Sequence, residues 1–328
     1  RLLSVSSVSF DMSAYEILGI LLAGATIIFP NDKLKMQPLH WIKLIEQYKI
    51  TVWHSVPILA EVLCQYATLR KNVSIKSLRI FLLGGDWIPK ELPIRIRNMC
   101  KGCEIFSMGG ACEASMDSIL YPIKEINMNW SSIPYGKPMS NQKTYILDTN
   151  LQLLPVGVPG ELCLGGIGVA EGYYKKEELT SKKFLRDPWG KSANEKIYRT
   201  GDLARYLPDG NIQLLGRLDY QVKVNGVRIE LGEIEEYLKT NPLIKEAVIV
   251  AVPKEEGSVE KRLVAYIVFR TIENSMTYNE IRQFILKKML PAYVPSKVIR
   301  IEKLPITPNG KVDRNFLIKV SEDSDALL

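Results

Sequence analysis

"LRIFLLGGDWIPKELPIRIRNMCKGCEIFSMGGACE", residues 78–113, carries the pattern on which the fold turns. The apolar run "LRIFLL" ends in the pair Gly84-Gly85. "ELPIRIRNMC" follows with helical apolar spacing, and "EIFSM" is a second apolar run ending in Gly109-Gly110. Strand, glycine turn, helix, strand, glycine turn is the rhythm of parallel βα units with both sheet faces covered. Ligands of such sheets bind beyond the carboxyl ends of the strands, where both glycine turns stand. Glycine permits positive φ and close backbone approach, so each turn either admits a ligand or is simply a sharp loop. Cys112 and Glu113 then read as a nucleophile, as a base or metal ligand, or as plain turn residues.

Upstream, the same alternation continues. Residues 14–24 are spaced as a helix and "ATIIFP" (25–30) as a short strand. The apolar stretch 17–29 is too short to span a membrane and reads as a buried helix running into a strand. Helical spacing over 40–50 precedes the strand "TVWHSVP" and the helix "ILAEVLCQYATL". The βα region is expected to run to about residue 130. From about 131 to 218 short strands with Gly, Asp and Pro turns predict a β-rich subdomain. In it, "LPDGNIQLLG" is a hairpin with Asp209-Gly210 at its turn. Residues 219–318 predict a small α+β domain, with helices near 232–240 and over "TYNEIRQFILKKML". The acidic stretch 319–328 reads as a tail or linker.

Composition excludes several classes. The 328 residues are 46% hydrophobic and 24% charged, ordinary values for a folded chain of more than one domain. The net charge of +7 is spread and interleaved with acids, with no basic stripe for nucleic acid. The 5 cysteines (Cys64, Cys100, Cys103, Cys112 and Cys163) are odd in number and irregularly spaced, which fits a reducing cytoplasm better than a disulfide framework. Cys100 and Cys103 form a lone C-x-x-C, and neither His40 nor His54 has zinc-ligand spacing to it. The start, "RLLSVSSVSFDMSAYE", has no signal-peptide order and reads as a cut into the middle of a domain.

Several polar segments are too rich in special residues for ordinary loops. "YRTGDLARYLPDG" presents Asp202 after a glycine, and "TPNGKVDR" sets Lys311 after an Asn309-Gly310 turn. A lysine amine there is a compact cation suited to phosphate charge. Together with "FDMS" (10–13), "GGACEAS" (109–115), "GELCLGGIGVAEGYY" (160–174), "YRTGDL" (198–203), "GRLDYQVKVNGVRIELGEIE" (216–235), "LPAYVP" (290–295) and "NGKVDR" (309–314), they come in one order over nearly the whole chain. In that order the chain resembles the adenylation domains of nonribosomal peptide synthetases, within the adenylate-forming enzymes.

The resemblance implies an α/β adenylate-forming fold: the carboxyl-terminal part of a large domain, then a small mobile domain. It implies that an amino acid is activated with ATP to aminoacyl-AMP, then passed to the phosphopantetheine thiol of a carrier protein. Condensation or other synthetase domains would be further partners, with neither nucleic acid nor membrane involved. Asp11 would hold the α-ammonium, and Glu113 would help hold Mg²⁺. Asp202 would accept from the ribose hydroxyls with Arg217 assisting. Lys311 would bridge carboxylate and phosphate, and Asp219 would be the hinge. Gly85, Gly109, Gly110 and Cys112 would approach the nucleotide. Asp11, Met12, Tyr15, His54, Leu82, Gly84, Met108, Met116, Asp117 and Lys311 would line the amino-acid pocket.

The departures from the family pattern are specific. Gly109 stands where the family has an adenine-stacking aromatic, and Cys112 stands where it has a phosphate-contacting threonine. A thiol is a weaker donor. The phosphate-binding Ser/Thr/Gly-rich loop of the family belongs upstream of "FDMS". Bulky Met108 and Met116 with polar His54 and Asp117 point to serine first and threonine second. A basic amino acid and cysteine are the rivals. Two other readings stay open: an aryl- or fatty-acid ligase, which Asp11 argues against, and a non-catalytic docking fragment.

Overall fold

Two buried strands on either side of His54 show how the sheet is assembled. Val52–Ser55 pairs with Leu2–Leu3 on one edge and Ile80–Leu83 on the other, all parallel. The computed structural model describes residues 1–69, 75–128, 130, 132–192, 194–218, 221–224, 226–254, 260–271, 275–306 and 312–323. The chain divides into two compact units, Arg1–Asp219 and Tyr220–Leu328, each described by itself.

In the first unit a seven-stranded sheet has the order β2-β1-β3-β4-β5-β6-β7. Its strands are β1 (Leu2–Leu3), β2 (Ile27–Ile28), β3 (Val52–Ser55), β4 (Ile80–Leu83), β5 (Glu104–Gly109), β6 (Ile119–Pro122) and β7 (Lys137–Pro138). β1 to β5 run parallel and are joined by helices, as the alternating sequence predicts for β2 to β5; the two-residue β1 was not expected. The helix Pro38–Tyr48 begins with Pro38, whose missing N–H is an orphan there anyway, and stops at Lys49 in the left-handed region. It buries Trp41, Ile42, Leu44 and Ile45, and Trp41 meets Trp53 of β3 edge-on at 5.6 Å. Helices Pro57–Thr68 and Glu91–Met99 complete the same core through Leu63, Leu92 and Ile96.

Three expectations shift here. The β-rich region does not begin near 131, because β6 and β7 pair antiparallel onto β5 and extend the first sheet. The second sheet holds β8 (Gln142–Leu147), β9 (Gly160–Gly166), β10 (Phe184–Arg186), β11 (Lys196–Tyr206) and β12 (Ile212–Arg217). The helix expected over 14–24 is a run of Met12–Ala14, a π-helical turn Tyr15–Gly19, and Ile20–Leu22. Nor is it buried: Leu18, Leu21 and Leu22 are 62%, 57% and 88% exposed, because only the Met12/Glu16/Ile20 side faces the core.

The second unit packs helices Leu231–Lys239 and Tyr278–Leu286 on a sheet of β15 (Ile244–Pro253), β16 (Lys261–Phe269) and β17 (Lys297–Arg300). The hairpin of β13 (Gln221–Val224) and β14 (Val227–Glu230) precedes it. Thr277 and Glu280 form a reciprocal capping box on the second helix. The stretch expected as a tail from 319 is helical as far as Asp323, because Leu317 and Ser321 are buried. Among the described residues no helix is long and apolar enough to cross a membrane.

Candidate functional site

Asp11 stands just before the helical run Met12–Ala14, in the first unit. Its carboxylate accepts a hydrogen bond from the exposed thiol of Cys112, in the 3-10 turn Cys112–Ala114 behind the second glycine pair. Two segments about a hundred residues apart thus meet at the carboxyl ends of the parallel strands. The other expected pocket residues of this unit lie on β3, β4 and β5 or in the segments beside their ends. His54 lies opposite Leu82 in the β3–β4 register, and both are buried. Tyr15 meets His54 edge-on at 5.1 Å. Gly84 lies so close to β5 that a Cβ there would stand 2.9 Å from the Met108 carbonyl oxygen. Met12 Sδ and Phe10 border Gly85, which has φ +82°. Burial raises the Tyr15 hydroxyl pKa, and the charge of Asp117 adds to it, so Asp117 acts on Tyr15. Met116 follows Ser115 in the same turn, and both are left-handed, with φ 67° and 60°.

Glu113 is held by groups that sequence spacing does not reveal. The hydroxyls of Tyr173 and Tyr198 both donate to its Oε1, at 2.6 and 2.8 Å. The amide of Ala170 donates to its carbonyl oxygen at 2.9 Å, and the Ser115 hydroxyl to that of Gly168 at 2.8 Å. The glycine turn "GGACEAS" is therefore docked on the loop "GIGVAEGYY". Thr180 fixes Tyr173 by accepting from its amide at 2.9 Å. Phe184 packs between the two tyrosine rings at 5.3 and 5.1 Å.

Asp202 and Arg217 face each other across β11 and β12, and Arg217 Nη1 donates to Asp202 Oδ1 at 2.8 Å. Glu161 and Arg199 brace the same strand: Arg199 Nε donates to Glu161 Oε2 at 2.9 Å, and the Gly201 amide to Oε1 at 3.2 Å. Tyr135 lies between this pair and the glycine turn, with its hydroxyl donating to the Gly110 carbonyl at 3.4 Å. Burial raises the Tyr135 pKa first, then the charges of Asp202 and Asp117, against Gly110 and Arg217.

Behind the pocket, Glu16 is fully buried. It accepts from the hydroxyls of Ser4 and Ser6, each at 2.6 Å, and lies 3.5 Å from His54 Nδ1. Sequence reasoning missed Glu16, Tyr135, Tyr173 and Tyr198. Only Gly109, standing where an aromatic was expected, could have prompted a search for a ring elsewhere.

Lys311 and Asp219 lie outside the described residues. The base of the Lys311 segment is in view: Ile306 and Val312 form an antiparallel bridge. Arg314 forks onto Glu235 at 2.7 and 2.9 Å.

Among the described residues no group of three or more His, Cys, Asp or Glu side chains could hold a metal alone. A single carboxylate such as Glu113 suits Mg²⁺, which binds through one or two carboxylates and takes its other ligands from water and phosphate oxygens. The five cysteines are free thiols, and burial pushes Cys64, Cys100 and Cys163 up to about 12, far from reactive.

Comparison with known proteins gives a consistent result. Residues 1–174 match the family model described as AMP-binding enzyme, and 233–311 match the AMP-binding enzyme C-terminal domain. Bacitracin synthase 1 of Bacillus licheniformis is 40% identical over 99% of this chain, which spans 6% of that protein. The anguibactin system regulator of Vibrio anguillarum is 40% identical over 98% of the chain, which spans 30% of it. The structure of holo-PA1221, a nonribosomal peptide synthetase protein with adenylation and PCP domains, superposes with a TM-score of 0.82 at 26% identity. That match covers 97% of this chain and 53% of the other.

Proposed function

The chain belongs to the AMP-binding enzyme family, as an adenylation domain of the nonribosomal peptide synthetase type, and on that premise we propose that it activates an amino acid with ATP for transfer to a carrier-protein thiol. The observation that carries this reading is the meeting of Asp11 with the Cys112–Ala114 turn. A carboxylate suited to an α-ammonium stands beside a turn suited to phosphates. An amino acid held there by its ammonium would direct its own carboxylate toward the nucleotide.

In the first step a carboxylate oxygen attacks the α-phosphorus. The bond to the β-phosphate oxygen breaks and pyrophosphate leaves with the electron pair. Asp202 accepts from the ribose hydroxyls, and Arg217, donating to Asp202 Oδ1 at 2.8 Å, orients its carboxylate. Glu113, fixed by two phenols, is the residue that would hold Mg²⁺. When bound, that ion supplies positive charge against the phosphate oxygens. Lys311 is assigned the neutralisation of carboxylate and phosphate during attack. In the second step a phosphopantetheine thiol loses its proton, its sulfur attacks the acyl carbon, and the bond to AMP breaks. Residues 219–318 are assigned as the mobile domain, swinging about Asp219. The carrier and condensation domains are the partners this reading requires.

Serine is the proposed substrate, ahead of threonine, a basic amino acid and cysteine. His54 and Asp117 supply polar groups, and Met108 and Met116 limit depth. Amino-acid-dependent pyrophosphate exchange by the full-length protein, over a panel of acids, tests this. Exchange with serine supports the pocket reading. Exchange only with an aryl acid overturns the role of Asp11, and no exchange with any acid overturns the activity. Lys311→Ala should abolish exchange without lowering the melting temperature; unchanged exchange would remove Lys311 from the mechanism.

A further inference from the structure

Gly109 and Tyr135 occupy one space between them. The three atoms nearest to a Cβ built on Gly109 all belong to Tyr135, at 1.8, 2.3 and 2.6 Å. Gly109 is not among the glycines with positive φ, so its backbone would accept an ordinary residue. Gly110 differs, because its Cβ would strike backbone, 2.3 Å from the Met116 oxygen and 2.7 Å from the Ser118 nitrogen. Gly110 is a glycine because the chain passes too close, and Gly109 because a ring from elsewhere fills its side-chain volume.

That ring is held in place independently. The Tyr135 amide donates to the Ile212 carbonyl at 2.8 Å, and the Ile212 amide to the Gly136 carbonyl at 2.7 Å. Gly136, with φ +118°, presses on β6 so closely that a Cβ would lie 2.1 Å from the Leu120 oxygen. Ile212 opens β12, the strand that ends at Arg217. Asp202, Asp117 and Arg217 all act electrostatically on the Tyr135 hydroxyl. A half-buried aromatic ring thus stands between the glycine turn and the Asp202–Arg217 pair.

We propose that Tyr135 is the platform on which the adenine of ATP stacks, supplied from a different segment than residue 109. The proposal rests on the nucleotide reading above, in which Asp202 takes the ribose. A ribose at Asp202 and phosphates at the glycine turn leave the base beside this ring, and every base offers a π-face to an aromatic.

Titration calorimetry of the full-length protein with ATP and with inorganic tripolyphosphate, which has no base, tests it. Tyr135→Ala should weaken ATP roughly tenfold, while tripolyphosphate and the Tyr135→Phe variant with ATP stay within about twofold of wild type. Gly109→Tyr alone should lose ATP binding, since two rings cannot share the space. Gly109→Tyr combined with Tyr135→Ala should recover it, which separates a lost stack from a lost fold. ATP affinity unchanged in Tyr135→Ala, or lost as fully in Tyr135→Phe as in Tyr135→Ala, overturns the platform alone. A wild-type protein that binds no ATP overturns the nucleotide reading and the platform with it.

Discussion

The Tyr173 hydroxyl donates to Glu113 Oε1 at 2.6 Å across a sequence gap of sixty residues. Tyr198 donates to the same oxygen at 2.8 Å. With two phenols on one oxygen, the carboxylate cannot rotate without breaking both bonds, so these tyrosines position it. Groups that orient a metal ligand typically contribute 10–100-fold to affinity. In Tyr173→Phe the Mg²⁺ concentration for half-maximal pyrophosphate exchange should rise about tenfold, with KM for the amino acid unchanged. Binding of Mn²⁺ with ATP, followed by electron paramagnetic resonance, should weaken in parallel. A Mg²⁺ midpoint equal to wild type would show that the tyrosines only pack.

The same phenol links stability to alkaline pH. Burial, then the bond to Glu113, raises the Tyr173 pKa above its ordinary 10.0. The folded state therefore holds this proton more tightly than the unfolded chain. Its contribution is fully present below the unfolded value and is lost as pH rises through the folded one. Tyr145, pushed up to about 12 by burial and by Asp187, acts in the same direction. The melting temperature of wild type should fall steeply above about pH 10, and that of Tyr173→Phe less steeply. Parallel curves for the two proteins would contradict the linkage.

How far the sequence could be read depends on whether a residue acts within one segment or between several. Asp11, Glu113, Asp202 and Arg217 sit in short motifs with local turn chemistry, and the glycines that shape those turns are visible in the string. The parallel βα units that hold β2 to β5 were legible because helix and strand alternate with different periods, whereas the two-residue β1 and the strand order were not. Tyr135 lies outside every such motif, and Tyr173 and Tyr198, though inside the stretches 160–174 and 198–203, give no sign there of the partner they share: the neighbours of these rings come from residues 109–113, 180–184 and 202–217. The sheet boundary failed for a similar reason, since β6 and β7 have the texture of the second sheet but pair with the first.

Glu16 shows what a buried carboxyl group requires. Its two oxygens each take a serine hydroxyl, and His54 stands beside it. Glu16→Ala should lower unfolding free energy by about 3 kcal/mol, because buried Ser4 and His54 and half-buried Ser6 are then left without it. Glu16→Gln should cost about 1–3 kcal/mol, since its amide keeps one acceptor and turns a donor toward a donor. Urea unfolding measures both. If Ala and Gln cost the same, the hydrogen bonds are not the source of the stability.

Gly110→Ala is the sharpest test of the turn. Backbone atoms at 2.3 and 2.7 Å leave the new methyl nowhere to move, unlike a contact with a flexible side chain. The turn is already held by bonds from the Met116 amide to Ala111 and from the Ser118 amide to Gly109, at 2.9 and 2.8 Å. Opening it to admit a methyl should cost about 1–3 kcal/mol and should displace Glu113 and Cys112 together. Exchange activity should fall further than stability does; a stable, fully active Gly110→Ala would mean that the turn gives more easily than its contacts indicate.

Arg314 and Glu235 make the corresponding anchor in the second unit. The guanidinium forks onto both carboxylate oxygens, and its Nη1 also donates to the Ile249 carbonyl at 2.7 Å. The Ile249 amide returns a bond to Glu235 Oε1 at 2.7 Å, so one strand residue is tied to both charges. The two side chains are only 17% and 9% exposed, so solvent screens them little. Arg314→Ala strands a buried carboxylate and should cost about 3–5 kcal/mol in the unfolding of this unit. Arg314→Lys should recover little, because a lysine cannot form the fork. Replacing both partners, as Glu235→Leu with Arg314→Met, should restore most of the loss, since a well-packed apolar pair needs no partner charge. Denaturant titrations of the three variants decide between an anchor and a surface ion pair: a loss in Arg314→Ala below about 1 kcal/mol, the exposed-pair range, would make it the latter.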